Sequence, residues 1–453
     1  MYHQKTLLIT LVTLFFASLA TLTANLFGAS AFFPIVVTLS IIAAVLLFEQ
    51  PLLFLFALFF IRMITDYTSQ NINAQFFNVS FSLSQMLGIG IAALGMPFLI
   101  KHHRRIARYP LIAAFSVLIG WGCFSLLFSI DISRTLSDII RIFDIFVIGC
   151  IAFVAIQNYA DFQKFIWVML CSSIIPLIAG FAQFALGIGL QDESVSFARI
   201  FGTFAHPNVY SLYLFSVMVC ASLFLLSTET KRTSNIRILF GTIILTSSTV
   251  MLILTFARVA WVVAFLFFFL LALWKKPLLL IPVICIPFFI FATSETFQDR
   301  VLQTFHQSSN SSVSWRTMIW EDMIERTQSE NRTLYGYGLE AFPRAAEQLR
   351  GTRFGSNEAH NDYVKFFVEG GIIGLLAFLS YITLIFRSMY RAYTTTASPQ
   401  IRLIFGVLIL FLFTILIAAL SDNIFKNTPL WWVFFSLLGG ALSLTIPTQR
   451  SSR

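Results

Sequence analysis

Two residue types stand out for the chemistry they could do. The polar interval 294–363 holds Arg300, Arg316, Arg326, Arg332, Arg344, Arg350 and Arg353 and no lysine, whereas the short basic loops elsewhere mix both freely. Arginine offers a planar fork of donors that grips phosphate or carboxylate bidentately and stays charged when desolvated. The interval also carries ten carboxylates, among them Glu321, Asp322 and Glu325 on one predicted helix. Pairing within the interval therefore accounts for most of these arginines. Arg258 is different. It is the one ionisable residue in the stretch 238–274, and a charge inside apolar sequence faces a cavity or a partner, or snorkels to water.

Histidine is the second type. His360 lies in Glu-Ala-His-Asn-Asp-Tyr, just before an apolar run that starts near Val364. A histidine there suits general-base work near neutral pH, with Asn361 or Asp362 able to hold its ring or a sugar hydroxyl. The bland alternative is an ordinary interfacial histidine. His206, in Gly-Thr-Phe-Ala-His-Pro-Asn, is read more simply, because Pro207 marks a helix start. Asp138, Arg141 and Asp144 share a helical face, where an internal ion pair is the default reading and a substrate path the second. The cysteines lie in apolar stretches with no CxxC spacing, so neither a disulfide framework nor a zinc site is expected. No Walker A loop, GxSxG elbow or HExxH is present.

The elements that must position these residues are membrane helices. Of 453 residues 58% are hydrophobic and 11% charged, and the mean hydropathy is +0.83. Soluble domains carry about 25% charged residues, so a soluble enzyme, a nucleic-acid binder and a disordered chain are excluded. A spanning helix needs about 20 mostly apolar residues. Candidate spans fall near 6–26, 31–48, 51–65, 80–100, 110–130, 139–156, 164–186, 208–227, 236–254, 259–274, 277–293, 364–386, 403–420 and 429–446. The expected architecture is all-α and polytopic, with about 12–14 membrane helices.

Positive charge sets the orientation. With the N-terminus in the cytoplasm, one set of short loops holds sixteen basic residues, including Lys101, Arg104, Arg105, Lys275 and Arg391. The opposite set holds six: Arg62, Arg134, Arg141, Arg199, Arg258 and Lys426. That bias predicts both termini in the cytoplasm and the interval 294–363 on the external side. The interval is expected to contain a helix over Ser314–Thr327, with Trp315, Met318, Ile319 and Met323 on one stripe. A Tyr-Gly-Tyr-Gly turn at 335–338 and a short helix around Glu340–Arg350 follow. It divides the chain into a first bundle at 1–293, the loop at 294–363 and C-terminal helices at 364–453.

Four stretches in order resemble the O-antigen ligase and polymerase superfamily of bacterial envelope glycosyltransferases. They are Phe201-Gly-Thr-Phe-Ala-His-Pro-Asn208, Thr255-Phe-Ala-Arg-Val-Ala-Trp261, Ser312-Val-Ser-Trp-Arg-Thr-Met-Ile-Trp320 with Tyr335-Gly-Tyr-Gly-Leu339, and Ala359-His-Asn-Asp-Tyr-Val-Lys-Phe-Phe-Val-Glu-Gly-Gly371. The resemblance covers about 200–380. It departs from the family after Arg258, where Val259 stands in place of a frequent glycine.

The resemblance implies a GT-C-like fold and a metal-independent, inverting transfer without a cofactor, on the periplasmic face of the bacterial inner membrane. The donor would be a glycan on undecaprenyl pyrophosphate, and the acceptor a second lipid-linked repeat, lipid A-core or a protein hydroxyl. A chain-length regulator is a further implied partner. In the implied roles Arg258 and Arg316 bind the pyrophosphate and His360 activates the acceptor hydroxyl, with Asn361, Asp362, His206 and Tyr337 in support. Those roles require Arg258, Arg316 and His360 to meet at one water-accessible hollow. The competing reading is a transporter or flippase for a lipid-linked or anionic solute, which would spread ionisable residues along a path through the membrane.

Overall fold

The computed structural model describes residues 32–71, 73–76, 79–191, 198–227, 235–302, 312–351 and 357–446. The expected first span, 6–26, and Arg353 lie outside them. The protein is an all-α polytopic membrane protein; the exception among the described residues is one short antiparallel hairpin, Asn73–Phe76 with Val79–Ser82.

The N-terminal helices are α1 (Phe32–Glu49), α2 (Pro51–Asn71), α3 (Leu83–Lys101), α4 (His103–Ile106), α5 (Ile112–Ser125) and α6 (Ile132–Ala155). Next come α7 (Tyr159–Ser172), α8 (Ile174–Leu186), α9 (Pro207–Leu226), α10 (Asn235–Leu254), α11 (Arg258–Lys275), α12 (Leu280–Thr293) and α13 (Glu295–Leu302). The polar interval holds α14 (Ser312–Ser329) and α15 (Phe342–Arg350), and the chain ends with α16 (Asp362–Thr395), α17 (Pro399–Ala418) and α18 (Thr428–Ser443). Among the described residues six spans are long and apolar enough to cross a membrane: α7 continued into α8, α9, α10, α11, α16 and α17. A seventh is bent by 101° where α12 gives way to α13. The shorter apolar helices include α5 and α18.

At the centre stands α18, buried from Pro429 to Ser443. It packs on α6 at a point where a Cβ on Gly439 would lie 2.3 Å from the carbonyl oxygen of Gly149. Only small residues allow two helix backbones so close, and close approach supplies dispersion where lipid offers no hydrophobic drive. Also in α6, Arg141 pairs with Asp138 at 2.5 Å and donates to the carbonyl of Phe425, so the ion pair expected on this face is Asp138–Arg141. Asp144 is buried one turn further on, against Gly88 of α3.

The polar interval folds onto the end of α16 through a break in that helix. Gly371 has φ 59° and ψ −154°, which interrupts the helical ladder. Such a break orphans carbonyls before it and N–H groups after it, at about 1–3 kcal/mol each if left unpaired and buried. Residues 333–338 take up all four. The carbonyls of Val368 and Glu369 accept from the N–H of Tyr337 and Gly338, and the N–H groups of Ile372 and Ile373 donate to the carbonyls of Thr333 and Leu334. A Cβ on Gly336 would lie 2.4 Å from the carbonyl carbon of Glu369, and one on Gly371 2.3 Å from that of Leu334. The glycines of the Tyr-Gly-Tyr-Gly turn are thus there for docking as much as for turning.

Above this joint the interval has its own small core of Ile319, Met323, Tyr337, Phe342, Ala345 and Ala346. The stripe expected on α14 is right at Ile319 and Met323, but Met318 faces outward at 48% exposure. Most of the interval's arginines pair locally: Arg326 and Arg332 with Glu330, Arg344 with Glu347 and Arg350 with Asp322.

Candidate functional site

Two segments from opposite ends of the C-terminal region meet beside α14. One is Glu358–Asp362, which leads into α16; the other is Ser421–Lys426, between α17 and α18. Hydrogen bonds lace this region together. The N–H of Asp362 donates to the carbonyl of Ala419 at 2.8 Å, and the N–H of Phe425 donates to Asp362 Oδ2 at 3.0 Å. Between them His360 Nδ1 lies 3.2 Å from Asp422 Oδ1. His360 itself has φ 47°, an uncommon conformation for a residue with a Cβ, and such strain concentrates at working sites.

Asp422 is held as a carboxylate. Burial opposes its ionisation. The hydrogen bond and charge of His360, the N–H of Asn423 at 2.8 Å and the nearby Arg316 outweigh that and keep it below the usual carboxylate range. An ionised carboxylate can only accept, so His360 Nδ1 carries the hydrogen, and in the uncharged form of the ring the lone pair falls on Nε2. This is the arrangement a general base requires.

Arg316 reaches the same segment from α14, donating from Nη1 to the carbonyl of Ser421 at 2.8 Å. Burial lowers its pKa and Asp422 opposes the shift; a guanidinium so placed remains charged at neutral pH. Trp315, next along α14, sets its ring edge-on to His360 with centroids 6.1 Å apart.

His206 caps α9, and its Nδ1 accepts from the N–H of Asn208 at 3.1 Å. Pro207 opens that helix, as the sequence predicts. Desolvation by surrounding atoms, with Arg199 second, lowers the His206 pKa although the residue is exposed; Asp422 and His360 are close enough to act on it as well. Asn208 then links the two halves, since its Nδ2 lies 3.4 Å from Asp422 Oδ2 and its Oδ1 accepts from Arg199 Nη2 at 2.9 Å.

Arg258 opens α11, half-buried. The turn before it is gripped by two further arginines. Arg199 Nε donates to the carbonyl of Thr255 at 2.9 Å, and Arg300 Nε, from α13, lies 3.4 Å from that of Phe256. Phe256 has φ 53°, a second strained residue at this locus. Arg316 and His360 thus share one segment, and the Arg258 turn is tied to it through Arg199, Asn208 and Asp422.

Other expected site residues have structural work. Asn361 caps α16, its Oδ1 accepting from the N–H of Tyr363 and Val364, and Asp362 holds Phe425. The partner of the His360 ring is Asp422 rather than either of these. Tyr337 lies in the core of the polar interval, with its hydroxyl on Glu330 Oε2 at 2.9 Å and its ring near Arg326 and Arg332. Among the described residues no group of His, Cys, Asp and Glu is arranged to hold a metal ion.

Residues 240–379 match the O-antigen ligase family. This region is similar to that family. Among curated proteins none matches the chain. The matched region contains Arg258, Arg300, Arg316 and His360, whereas Arg199, His206, Asn208 and Asp422 come from the segments flanking it. The match supports a function of the O-antigen ligase or polymerase type. Sequence reading passed over Asp422; the one signal for it was a polar Ser-Asp-Asn between two apolar helices.

Proposed function

We propose that this protein is a glycosyltransferase of the periplasmic face of the bacterial inner membrane. It transfers a glycan from undecaprenyl pyrophosphate to the hydroxyl of a lipid-linked repeat or of lipid A-core. The observation that carries this reading is His360 with its Nδ1 3.2 Å from the Asp422 carboxylate, beside the largely desolvated Arg316.

In the step proposed, the acceptor oxygen attacks the anomeric carbon while His360 Nε2 takes its proton. The bond from that carbon to the pyrophosphate oxygen breaks on the opposite face, so the configuration inverts. Charge grows on the departing diphosphate as the bond lengthens. Arg316 and Arg258 stabilise it more in the transition state than in the ground state, which is the condition for lowering the barrier. Asp422 stabilises the imidazolium that forms. The polyprenyl chain stays in lipid, consistent with a site at the ends of membrane helices. Metal is not required in this scheme, because two guanidinium groups supply the positive charge.

The test uses the full chain in nanodiscs with undecaprenyl-pyrophosphate glycan and, separately, each acceptor. The expected result is a new glycosidic product with one acceptor, abolished in His360→Ala. Donor crossing the bilayer with no covalent product would replace this reading by a flippase, and full transfer by His360→Ala would remove the base.

A further inference from the structure

A chain of alternating charges runs beside the His360–Asp422 pair. Lys426 Nζ lies 2.8 Å from both oxygens of Glu358 and also bonds Glu340. Glu340 in turn bonds the buried Lys365, which lies 3.9 Å from Glu369. Glu340 has φ 60°, so its backbone too is held in a strained turn. Burial opposes its ionisation, but Lys365 and Lys426 hold it well below the ordinary range. Glu358 is further bound by Asn423 Nδ2 at 3.0 Å.

The placement matters more than the charge. Glu358 stands two residues before His360, and Lys426 four after Asp422. Their ion pair therefore ties together the two segments whose spacing fixes the distance from Nδ1 to Oδ1. The Glu358 segment has no regular helix and the Asp422 segment only the single 3-10 turn Ile424–Lys426, so the side chains inherit whatever backbone freedom remains. A second tether on the far side of the pair, from Asp362 to Phe425, leaves the Glu358 side to Lys426 and Asn423.

We propose that Lys426 is a positioning residue for the transfer: by gripping Glu358 and Glu340 it holds the His360 segment against the Asp422 segment, and so fixes the ring in the Nδ1–H form. This rests on His360 being the base. Loss of the grip frees the ring to sample the other tautomer, which puts a proton where the lone pair must be. Misplacement of a reacting group by about 1 Å can lower a rate by roughly 100-fold.

The experiment is nitrogen NMR of imidazole-labelled full-length protein, which has six histidines, with His360 assigned by His360→Gln. The wild type should show the single Nδ1–H tautomer. Lys426→Met should show mixed tautomers at His360 and transfer reduced between about 10- and 100-fold at unchanged donor KM. Lys426→Arg, which keeps the charge, should restore most of both. Arg344→Met removes an exposed pair with Glu347 away from the site and should change neither. A single Nδ1–H tautomer in Lys426→Met overturns the proposal. Should that variant not fold, Glu358→Gln is read in the same way. A tautomer shift in a protein that transfers no glycan would keep the clamp and discard the transferase reading.

Discussion

His360 and Asp422 are separated by 62 residues in the chain and by 3.2 Å at Nδ1 and Oδ1. In the proposed transfer the pair assigns the two ring nitrogens, one to hold and one to react. Replacing Asp422 with Asn should leave the fold intact while letting the ring take the wrong tautomer. We expect transfer to fall on the order of 10²–10⁴-fold, measured as initial rate with saturating donor. An Asp422→Asn enzyme within a factor of two of the wild type would show that the ring needs no orienting group.

Arg316 tests the other side of the reaction. Arg316→Lys keeps a positive charge but loses the fork that can hold the Ser421 carbonyl and a phosphate together. Lower kcat by roughly 10-fold or more is expected, with a larger loss in Arg316→Gln. Equal activity in the lysine variant would mean that charge alone suffices.

His206 is predicted to be a helix cap and not a second base. His206→Asn supplies an equivalent cap for the N–H of Asn208 and should keep both stability and transfer, whereas His206→Ala should cost about 1 kcal/mol of stability. Loss of transfer in the stable Asn variant would promote His206 to a reacting role.

Acid should destabilise the protein through Asp422 and Glu340. Both carboxylates are held below their ordinary range in the folded state. Their contribution is whole above the unfolded carboxylate value of about 4 and is lost as pH falls through the lower folded values. Unfolding temperature in detergent should therefore drop as pH falls from about 5 toward 3. Asp422→Asn should flatten part of that slope; an unchanged slope would exclude Asp422 as a source.

Gly371→Ala should break the joint between the polar interval and α16. With φ 59° and the Leu334 carbonyl carbon 2.3 Å from the new Cβ, we expect a loss of roughly 1–3 kcal/mol in thermal unfolding. An alanine variant as stable as the wild type would mean that α16 can straighten without losing the four bonds at its break.

Much of this was legible in the chain. Apolar runs of spanning length located the described helices, although α6 starts seven residues before its expected span and α16 ends nine after; in lipid every backbone group must be paired within its own segment, and a helix is the local way to do so. Pro207 marked the start of α9, and the Arg258, Arg316 and His360 motifs marked the region that matches the ligase family. Residue type alone identified which groups could carry charge or a proton. What the chain could not display was pairing across distance. Asp422, Arg199 and Lys426 looked like ordinary loop or helix-end charges, and Asn361 or Asp362 looked nearer to His360 than Asp422 did. Hydrogen bonds form between atoms brought together by packing, and the contacts of Asp362 with the Ala419 carbonyl and the Phe425 N–H join these segments across some sixty residues of chain. Helix formation is local and was written in the sequence; the selection of one carboxylate for His360 depended on the packing of helices far apart in it.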